Sequence, residues 1–594
     1  MLSPDARVVA MDLLKPPTGY RLDRTILTTY SLDLEVLLTL PLAVLAHAEG
    51  GVDKLLEDPL LLLEALREAG ERIQVFVDEG GIAIPGSSRA LYAALESSVH
   101  PVRAPNGGAF HPKVWVARFV AEDQPPLLRV SVGSRNLTHD RSWDIALATE
   151  AEPGRKTVPE SAGLGALIRA LPGLMNETQN KTFNDAVNAL AREVERTAFP
   201  APEGFSSPVT FHGLGLKGAR APWRPVAEAD RMLAMAPFVN QTALNVLLDI
   251  CDGERRLVSR QESLDAVPDT ALDGWGETSV LSEATEGEPD DATADRPSGL
   301  HAKMLVFERG REVSWFVGSA NLTAAAFTGA NVEVMASVTG RHLAGKREIN
   351  SQSFWQSGFQ NLCEPWRRLE QPEVDEALMA AQGRLEQARQ ALLGGGLKVV
   401  CEPRGDSWLW RLEGTVSLPS DVQVVAWPVS IDEARASPLQ LPLERELPAS
   451  RLAAIVAFRL SVQEQLDDVR FALKLPAEGI PESRDHQILR ALIDSPERFL
   501  QFLRALLGGV EALADWASGK GSSRWQMSQG AGLLGEPLLE DLLRTASRDP
   551  GRLVPIRRLI EDLRKTEEGR SIVPEDLYAL WQVVDSAVAQ RGGR

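Results

Sequence analysis

The sequence predicts an α/β fold of two similar halves, arranged as a pseudo-twofold duplicated α/β/α sandwich, then a small β-rich module and a C-terminal α-helical module. Two observations predict the paired halves. Strand-like apolar runs alternate with amphipathic helical runs, and one polar motif occurs twice at the ends of such runs. The third observation is that short alternating strands, and then helical periodicity, replace this pattern after about residue 345. The resulting boundaries are 1–195 for the first half, 196–345 for the second half, 346–395 for a helical linker, 396–480 for the β-rich module and 481–594 for the helical module.

The first half begins with a strand, a turn and an amphipathic helix in RTILTTYSLDLEVLLTLPLAVLA, which starts at Arg24. A buried strand, RIQVFVDEGG from Arg72, ends in a glycine turn, and the run from Ser87 has a serine cap and helical spacing. The remaining strands of this half are predicted at Lys113–Phe119, Leu128–Val132 and Ile145–Ala148.

The second half repeats the order strand, turn, helix in DRMLAMAPFVNQTALNVLLDICDG from Asp230, and RRLVS from Arg255 is another short strand. NVEVMASVTG, from Asn331, is the closing strand. Between them, the stretch from Asp269 to Gly299 carries nine acidic residues and one basic residue. That composition predicts an acidic loop over residues 266–299.

The later modules are predicted from periodicity alone. VDEALMAAQGRLEQARQALL, from Val374, is a strong amphipathic helix in the linker. Short alternating strands with proline-marked turns extend to Leu475, as in a small β-sandwich, and helical periodicity begins at about Ser483.

The overall composition limits the classes of function. The 594 residues are 44% hydrophobic and 24% charged, as in ordinary globular proteins, and carry a net charge of −19. Because proteins that coat duplex DNA indiscriminately are usually basic, any nucleic-acid contact here requires a local positive groove. The three cysteines are far apart, which predicts neither a zinc cluster nor a disulfide framework. Without a signal peptide or an apolar membrane span, the chain is expected in the cytoplasm, with no membrane partner.

The repeated motif consists of His-x-Lys, an apolar run, a turn, a second apolar run and Gly-Ser-x-Asn-Leu-Thr. Residues i and i+2 of a strand share a face, so each histidine should lie beside its lysine, and each serine beside its asparagine. If the two strands of each half are neighbours, the four groups meet at one rim. The two sets are His111, Lys113, Ser134 and Asn136, and His301, Lys303, Ser319 and Asn321.

These groups suit a phosphodiester substrate. Lysine and asparagine can hold the non-bridging oxygens and stabilise a pentacoordinate transition state, while the serines are candidate substrate-binding residues. One neutral histidine can attack phosphorus, and the other, protonated, can give its proton to the leaving oxygen. The lysines supply the positive charge, so neither a metal nor a cofactor is expected. Asp144 or Glu333 could accept a hydrogen bond from an imidazole Nδ1, and Glu333 is favoured because Asn331 shares its strand face.

The duplicated pattern resembles the phospholipase D superfamily of phosphodiesterases, and the Asn-x-Glu formed by Asn331 and Glu333 is typical of it. The acidic residue usual at the fifth position past the lysine is replaced by Arg118 in the first copy, and Glu308 stands there in the second. A pattern that relies on His, Lys and Asn looks more like the tyrosyl-DNA phosphodiesterase branch and related bacterial nucleases. The lysine-to-asparagine spacings of 23 and 18 positions suit that branch as well.

The resemblance covers about residues 20–345 and implies that His111 is the nucleophile and His301 the general acid. It further implies a nuclease acting on DNA in preference to RNA. By analogy with bacterial relatives, this nuclease would be an effector of a phage-defence or restriction system, with a helicase or sensor partner bound by the C-terminal modules. Two alternatives stay open: a lipid phosphodiesterase of the phospholipase D type, and a catalytically silent scaffold. The sequence does not determine the oligomeric state.

Overall fold

The computed structural model describes residues 13–37, 70–177, 180–217, 221–282, 299–342, 349–369, 376–463, 467–482 and 575–592, except positions 71, 87, 89 and 141. It also describes the single positions 40, 484, 487, 488, 542, 560, 564, 570, 572 and 573. Within these ranges the chain is an α/β protein with four sheets. No helix of the described ranges is long and apolar enough to cross a membrane.

Six strands of the first half form one sheet. They are β1 Arg21–Thr29, β2 Ile73–Asp78, β3 Val99–Val102, β4 Val114–Val120, β5 Leu127–Gly133 and β6 Ala146–Ala151. Their order across the sheet is β3-β2-β1-β4-β5-β6. The first three strands are parallel to one another, and β1, β4, β5 and β6 pair antiparallel. Residues on both faces of β2 are buried, as expected for a strand covered on two sides.

Eight strands form the second sheet. They are β7 Phe205–Leu214, β8 Ala229–Met235, β9 Cys251–Ser259, β10 Glu277–Leu281, β11 Met304–Arg309, β12 Glu312–Gly318, β13 Glu333–Arg341 and β14 Cys363–Pro365. Their order is β14-β10-β9-β8-β11-β12-β13-β7. The six strands from β10 to β13 in this order have the same parallel and antiparallel neighbours as the six strands of the first sheet.

The helices lie outside the sheets. They are α1 Ala162–Leu174, α2 Lys181–Glu195, α3 Gln241–Leu248, α4 Gln261–Asp265, α5 Asp269–Leu272, α6 Ala324–Phe327, α7 Ser351–Gln356, α8 Glu376–Gly394 and α9 Glu575–Gly592. Short 3₁₀ segments occur at Ala90–Ser98, Pro159–Ser161, Phe359–Leu362, Glu433–Arg435 and Ala449–Arg451. Asparagine caps fix three of the helix starts, because Asn180 accepts from the Phe183 amide, Asn240 from the Ala243 amide and Asn350 from the Ser353 amide.

The β-rich region contains two four-stranded sheets. Its strands are β15 Lys398–Arg404, β16 Ser407–Glu413, β17 Gln423–Pro428, β18 Ser437–Pro438, β19 Leu443–Leu447, β20 Ile455–Ser461, β21 Val469–Lys474 and β22 Ala477–Glu478. One sheet has the order β19-β16-β15-β22 and the other β18-β17-β20-β21.

Three apolar cores hold these layers together. The first lies between the two large sheets, where β12 and β13 contact β5, and it joins Val116 and Val130 to Val306 and Val317. The second covers the other face of the second sheet with α3. The third joins the other face of the first sheet to α8 and the β-rich region, which therefore packs directly against the first half.

Several elements differ from the sequence prediction. Residues 269–282 of the predicted acidic loop form α5 and β10, because Ser279 and its neighbours pair with β9 on one side and β14 on the other. The most acidic part, residues 283–298, lies outside the described residues. The run after Ser87 is a 3₁₀ helix, and β7, α1 and α2 have no counterpart in the prediction. Of the predicted helical module, α9 is helical and most of the rest lies outside the described residues.

Candidate active site

Both His-x-Lys segments lie immediately before a central strand of their sheet. His111 and Lys113 precede β4, and His301 and Lys303 precede β11, so the prediction that they belong to the strands is wrong. Each lysine folds back, and its Nζ donates to the carbonyl oxygen of its histidine at 2.8 Å in the first half and 2.7 Å in the second. These hydrogen bonds hold each ammonium close to its histidine, although neither residue lies within a strand.

Each histidine segment is held by backbone from the opposite half. Phe110 forms a parallel bridge with Val332, and the His111 amide donates to the Val332 carbonyl at 2.9 Å. In the same way, Leu300 bridges Trp143, and the His301 amide donates to the Trp143 carbonyl at 3.0 Å. The two halves thus interlock at the point where the two motifs begin.

The two histidines exchange carboxylate partners across the same junction. His111 Nδ1 lies 2.9 Å from Glu333 Oε2, and His301 Nδ1 lies 2.7 Å from Asp144 Oδ1. Each carboxylate belongs to the half that does not supply its histidine. An Nδ1–H that donates to a carboxylate leaves the lone pair on Nε2, which is the tautomer needed for nucleophilic or base chemistry.

The motif serines position these carboxylates. Ser319 donates to Glu333 Oε2 at 2.5 Å, and Ser134 donates to Asp144 Oδ1 at 2.6 Å. Asn331 adds a third contact, from its amide to Glu333 Oε1 at 3.2 Å. The serine hydroxyls therefore act behind the histidines, whereas the sequence suggested that they contact substrate.

Burial sets the protonation of the histidines. It lowers the pKa of His111 to about 4, although the charge of Glu333 opposes the shift. The pKa of His301 is lowered as well, first by burial, with the hydrogen bond to Asp144 opposing the shift. Both rings are thus neutral in the free protein at neutral pH.

The four charged groups around the histidines are buried together. Lys113 and Lys303 are 2% and 1% exposed. Burial lowers the pKa of Lys303 to about 7 and the pKa of Lys113 well below its usual value, and Lys303 lowers the latter further. Burial raises the pKa values of Glu333 and Asp144, but the neighbouring histidines, lysines and serines together outweigh it and both values are lowered. The lysines of the two halves therefore belong to one electrostatic cluster.

The motif asparagines differ in their contacts. Asn136 Oδ1 accepts from the Tyr30 amide at 3.3 Å. Asn321 Oδ1 is buried and has no hydrogen-bond partner. A buried polar atom without a partner costs free energy, so Asn321 is a group that a bound ligand can satisfy.

Two residues near the first motif were missed by the sequence analysis. The Tyr30 ring lies 5.3 Å from the His111 ring and 5.7 Å from Lys113 Nζ, centroid distances that indicate direct packing. Asp78 Oδ1 accepts from the Phe110 amide at 2.6 Å, and burial raises the pKa of Asp78 to about 6. The signal that could have found both is their position at the carboxyl ends of β1 and β2, the sheet edge where ligands usually bind.

The two residues that depart from the family pattern make contacts of their own. Arg118 pairs with Glu193 at 2.7 Å and with Asp23 at 2.8 Å. Glu308 accepts from the Ser351 amide at 2.9 Å. Neither residue contacts the histidines. In the described part of the chain, no group of three His, Cys, Asp or Glu side chains is suited to a metal ion.

Comparisons with known proteins give distant similarity. No family model matches the chain, and no curated protein matches it. Among solved structures, the chain is similar to yeast tyrosyl-DNA phosphodiesterase, with a TM-score of 0.33 and 13% identity over 57% of this chain and 88% of the yeast chain. A mutant of the yeast enzyme aligns with a TM-score of 0.32 and 11% identity, over 57% of this chain and 87% of that one. At this distance, the similarity assigns no activity to the chain.

Proposed function

We propose that the protein is a metal-independent phosphodiesterase that cleaves nucleic acid through a covalent phosphohistidine intermediate. The observation that carries the proposal is the reciprocal pairing of two histidines with two carboxylates of the opposite halves, around two buried lysines. Two imidazoles, each oriented by a carboxylate, are the groups that a two-step displacement at one phosphorus atom requires.

In the first step, the Nε2 lone pair of His111 attacks phosphorus, and a P–N bond forms as the bond to the leaving oxygen breaks. His301, in its protonated form, gives its proton to that oxygen. Glu333 stabilises the positive charge that develops on the His111 ring, because its carboxylate accepts from Nδ1. Lys113 and Lys303 balance the charge on the non-bridging oxygens, which is the part that a metal ion plays in other phosphodiesterases.

In the second step, His301 takes a proton from water, and the water oxygen attacks phosphorus. The P–N bond breaks, and the electron pair returns to His111 Nε2. The product complex then holds neutral His111 and protonated His301, and release of the product with one proton restores the free protein, in which both rings are neutral. Asp144 holds His301 in one tautomer throughout, through its bond to Nδ1.

The charge balance supports this division of roles. With both lysines protonated and both histidines neutral, the charges of the two lysines and two carboxylates cancel, so a bound phosphodiester brings one uncompensated negative charge. Uptake of one proton by the site restores its electrical neutrality. The pKa of His111, lowered to about 4, disfavours that proton on His111, so His301 is the better recipient.

The nucleic-acid substrate is supported by the motif resemblance to the tyrosyl-DNA phosphodiesterase branch, with DNA preferred over RNA. The experiment is incubation of the purified protein with labelled single-stranded DNA, duplex DNA, RNA, phospholipid vesicles and a bis-aryl phosphodiester, all in EDTA. We expect turnover of nucleic acid that disappears in His111→Ala. An absolute requirement for Mg²⁺ contradicts the mechanism, and turnover of phospholipid alone favours the lipid alternative.

The biological setting is a separate proposal. We infer that the C-terminal modules, residues 396–594, recruit a helicase or a sensor, as expected of a nuclease effector in phage defence. Affinity purification of the intact chain from its host, with and without phage challenge, tests this. Absence of any helicase or sensor in both samples contradicts it.

A further inference from the structure

An exposed aromatic ring lies at the edge of the candidate active site. Phe238 is 45% exposed, and of all the Phe, Tyr and Trp side chains within the described ranges it is the only exposed one. The exposed face of this ring is therefore accessible to a ligand, and its contact with an apolar surface would be favourable.

The backbone places this ring beside the second motif. The Phe238 carbonyl accepts from the Leu322 amide at 3.1 Å, and Val239 forms a parallel bridge with Leu322, the residue after Asn321. The corresponding bridge of the first half joins Leu32 to Leu137, so Ser31 takes the position of Phe238 there. An aromatic residue at this position is thus a feature of the second half only.

A guanidinium accompanies the ring. Arg260 Cζ lies 5.5 Å from the Phe238 ring centroid, within range of a cation–π interaction. Its Nε donates to the Leu300 carbonyl at 2.7 Å, directly before His301. The positive charge of Arg260 also contributes to the lowered pKa of Lys303, after burial and the opposing carboxylates. Ring and guanidinium together therefore border the site on the side of the second motif.

We propose that Phe238 and Arg260 form a platform that stacks one unpaired nucleobase next to the scissile phosphodiester. The inference rests on the proposed function and deepens it by naming single-stranded nucleic acid as the substrate class. Only an unpaired base can turn a free face to the ring, since the bases of a duplex are covered by their neighbours. Aromatic rings beside cationic groups are how sequence-tolerant single-strand binding is achieved.

The test measures binding separately from turnover. Phe238→Ala, Phe238→Leu and Phe238→Trp are prepared in a His111→Ala background, and their affinity is measured for a short single strand, the same strand with abasic sites, and a duplex. Met379→Ala is the matched control, because Met379 is 61% exposed on α8, outside the site. We expect Phe238→Ala and Phe238→Leu to weaken single-strand binding roughly tenfold, and Phe238→Trp to retain it. Binding of the abasic strand and of the duplex should not change.

Other outcomes overturn the platform. Equal losses on the normal and abasic strands, or full affinity in Phe238→Leu, show that the ring contributes apolar surface and no stacking. If Phe238→Ala weakens binding to phospholipid vesicles and leaves single-strand binding unchanged, the ring binds a lipid tail.

Turnover by the His111-containing protein distinguishes the two proposals. Base-dependent binding without cleavage refutes the phosphodiesterase and leaves the platform standing. Cleavage of single strands with an unchanged KM in Phe238→Ala refutes the platform alone.

Discussion

At the scale of single residues, the candidate site depends on two carboxylates that hold the histidines in place. Glu333 is fully buried and joins His111, Ser319 and Asn331 in one hydrogen-bonded group. Its partner in the other half, Asp144, joins His301 and Ser134 in the same way. Loss of either charge should therefore act on a histidine, through its tautomer and its basicity.

The first prediction concerns Glu333→Gln. The amide keeps the volume but loses the charge that stabilises a positive His111 ring, so kcat should fall by about 10²- to 10⁴-fold while KM changes little. Steady-state kinetics on a nucleic-acid substrate measure this. Glu308→Gln is the matched control, since Glu308 is a carboxylate of the same sheet that is 8% exposed and lies outside the site. An equal loss of kcat in both variants would mean that Glu333 has only a structural role.

The second prediction is the pH dependence of kcat/KM. A nucleophile must be deprotonated, so activity should fall as the pH drops through the His111 pKa of about 4. On the alkaline side, His301 must be protonated to act as the general acid and Lys303 must be protonated to bind phosphate. Activity should therefore also fall as the pH rises through the lowered pKa of His301 and the Lys303 pKa of about 7. The expected profile is a bell between these two limits. A profile that is flat from pH 5 to pH 9 would contradict the assigned charge states.

At the scale of elements, the site is made by segments that cross between the halves. The chain before β4 and the chain before β11 each bridge to the opposite half, at Val332 and at Trp143. Their close approach depends on glycine at one position. A Cβ added to Gly108 would lie 2.5 Å from the backbone of Ala330 and 2.6 Å from Asn331 Oδ1.

The third prediction is that Gly108→Ala separates His111 from Glu333. Because backbone cannot move aside as a side chain can, we expect a loss of about 1–3 kcal/mol in the free energy of unfolding and a clear loss of kcat. Chemical denaturation and steady-state kinetics measure the two effects. Gly173→Ala is the control, because no atom lies within 4 Å of its added Cβ. If both variants behave like the original protein, the crossing segments do not require close contact.

At the scale of the whole molecule, the β-rich region is part of the body that carries the site. Leu27 and Val75 of the first sheet share a core with Trp410 and Phe458 of the later strands. Polar contacts also join the first half to the later part of the chain. Arg484 pairs with Glu96 at 2.8 Å, Glu96 also accepts from the Ala454 amide at 2.7 Å, and Lys474 donates to the Val99 carbonyl at 2.8 Å.

The fourth prediction is that a chain ending at Leu369 does not fold as the intact protein does. Truncation exposes the apolar face of the first sheet and leaves Glu96 without its partners, so we expect aggregation or a strongly reduced melting temperature. Calorimetry of the intact and truncated chains measures this. A soluble truncated chain with unchanged activity and melting temperature would show that the shared core is dispensable.

The parts that the sequence predicted are those carried by local pattern. The strands around both motifs follow from apolar runs, and the two sets of His, Lys, Ser and Asn follow from their repeated spacing. The exchange of carboxylates between the halves was left open, because no local pattern records which imidazole meets which carboxylate. Tyr30, Asp78 and Phe238 were missed for the same reason. Each is a single residue at a strand end, and its role arises from packing against distant segments.

In the acidic stretch, the sequence analysis instead predicted a feature that the described residues there do not have. Its charge predicted a loop, yet residues 277–281 are a strand whose backbone pairs on both sides. Hydrogen bonding by the main chain does not depend on the side-chain charges that dominated the prediction.

The central claim is that two imidazoles act in turn on one phosphorus atom. The most direct measurement is to trap the intermediate in His301→Ala, with a ³²P-labelled diester whose aryl leaving group needs no proton, and to map the labelled residue by mass spectrometry. The account predicts an acid-labile, base-stable phosphoryl group on His111 that accumulates because no base activates water, and no label in the His111→Ala, His301→Ala double variant. Rapid turnover by His301→Ala with no label on His111, or label on another residue, would contradict it.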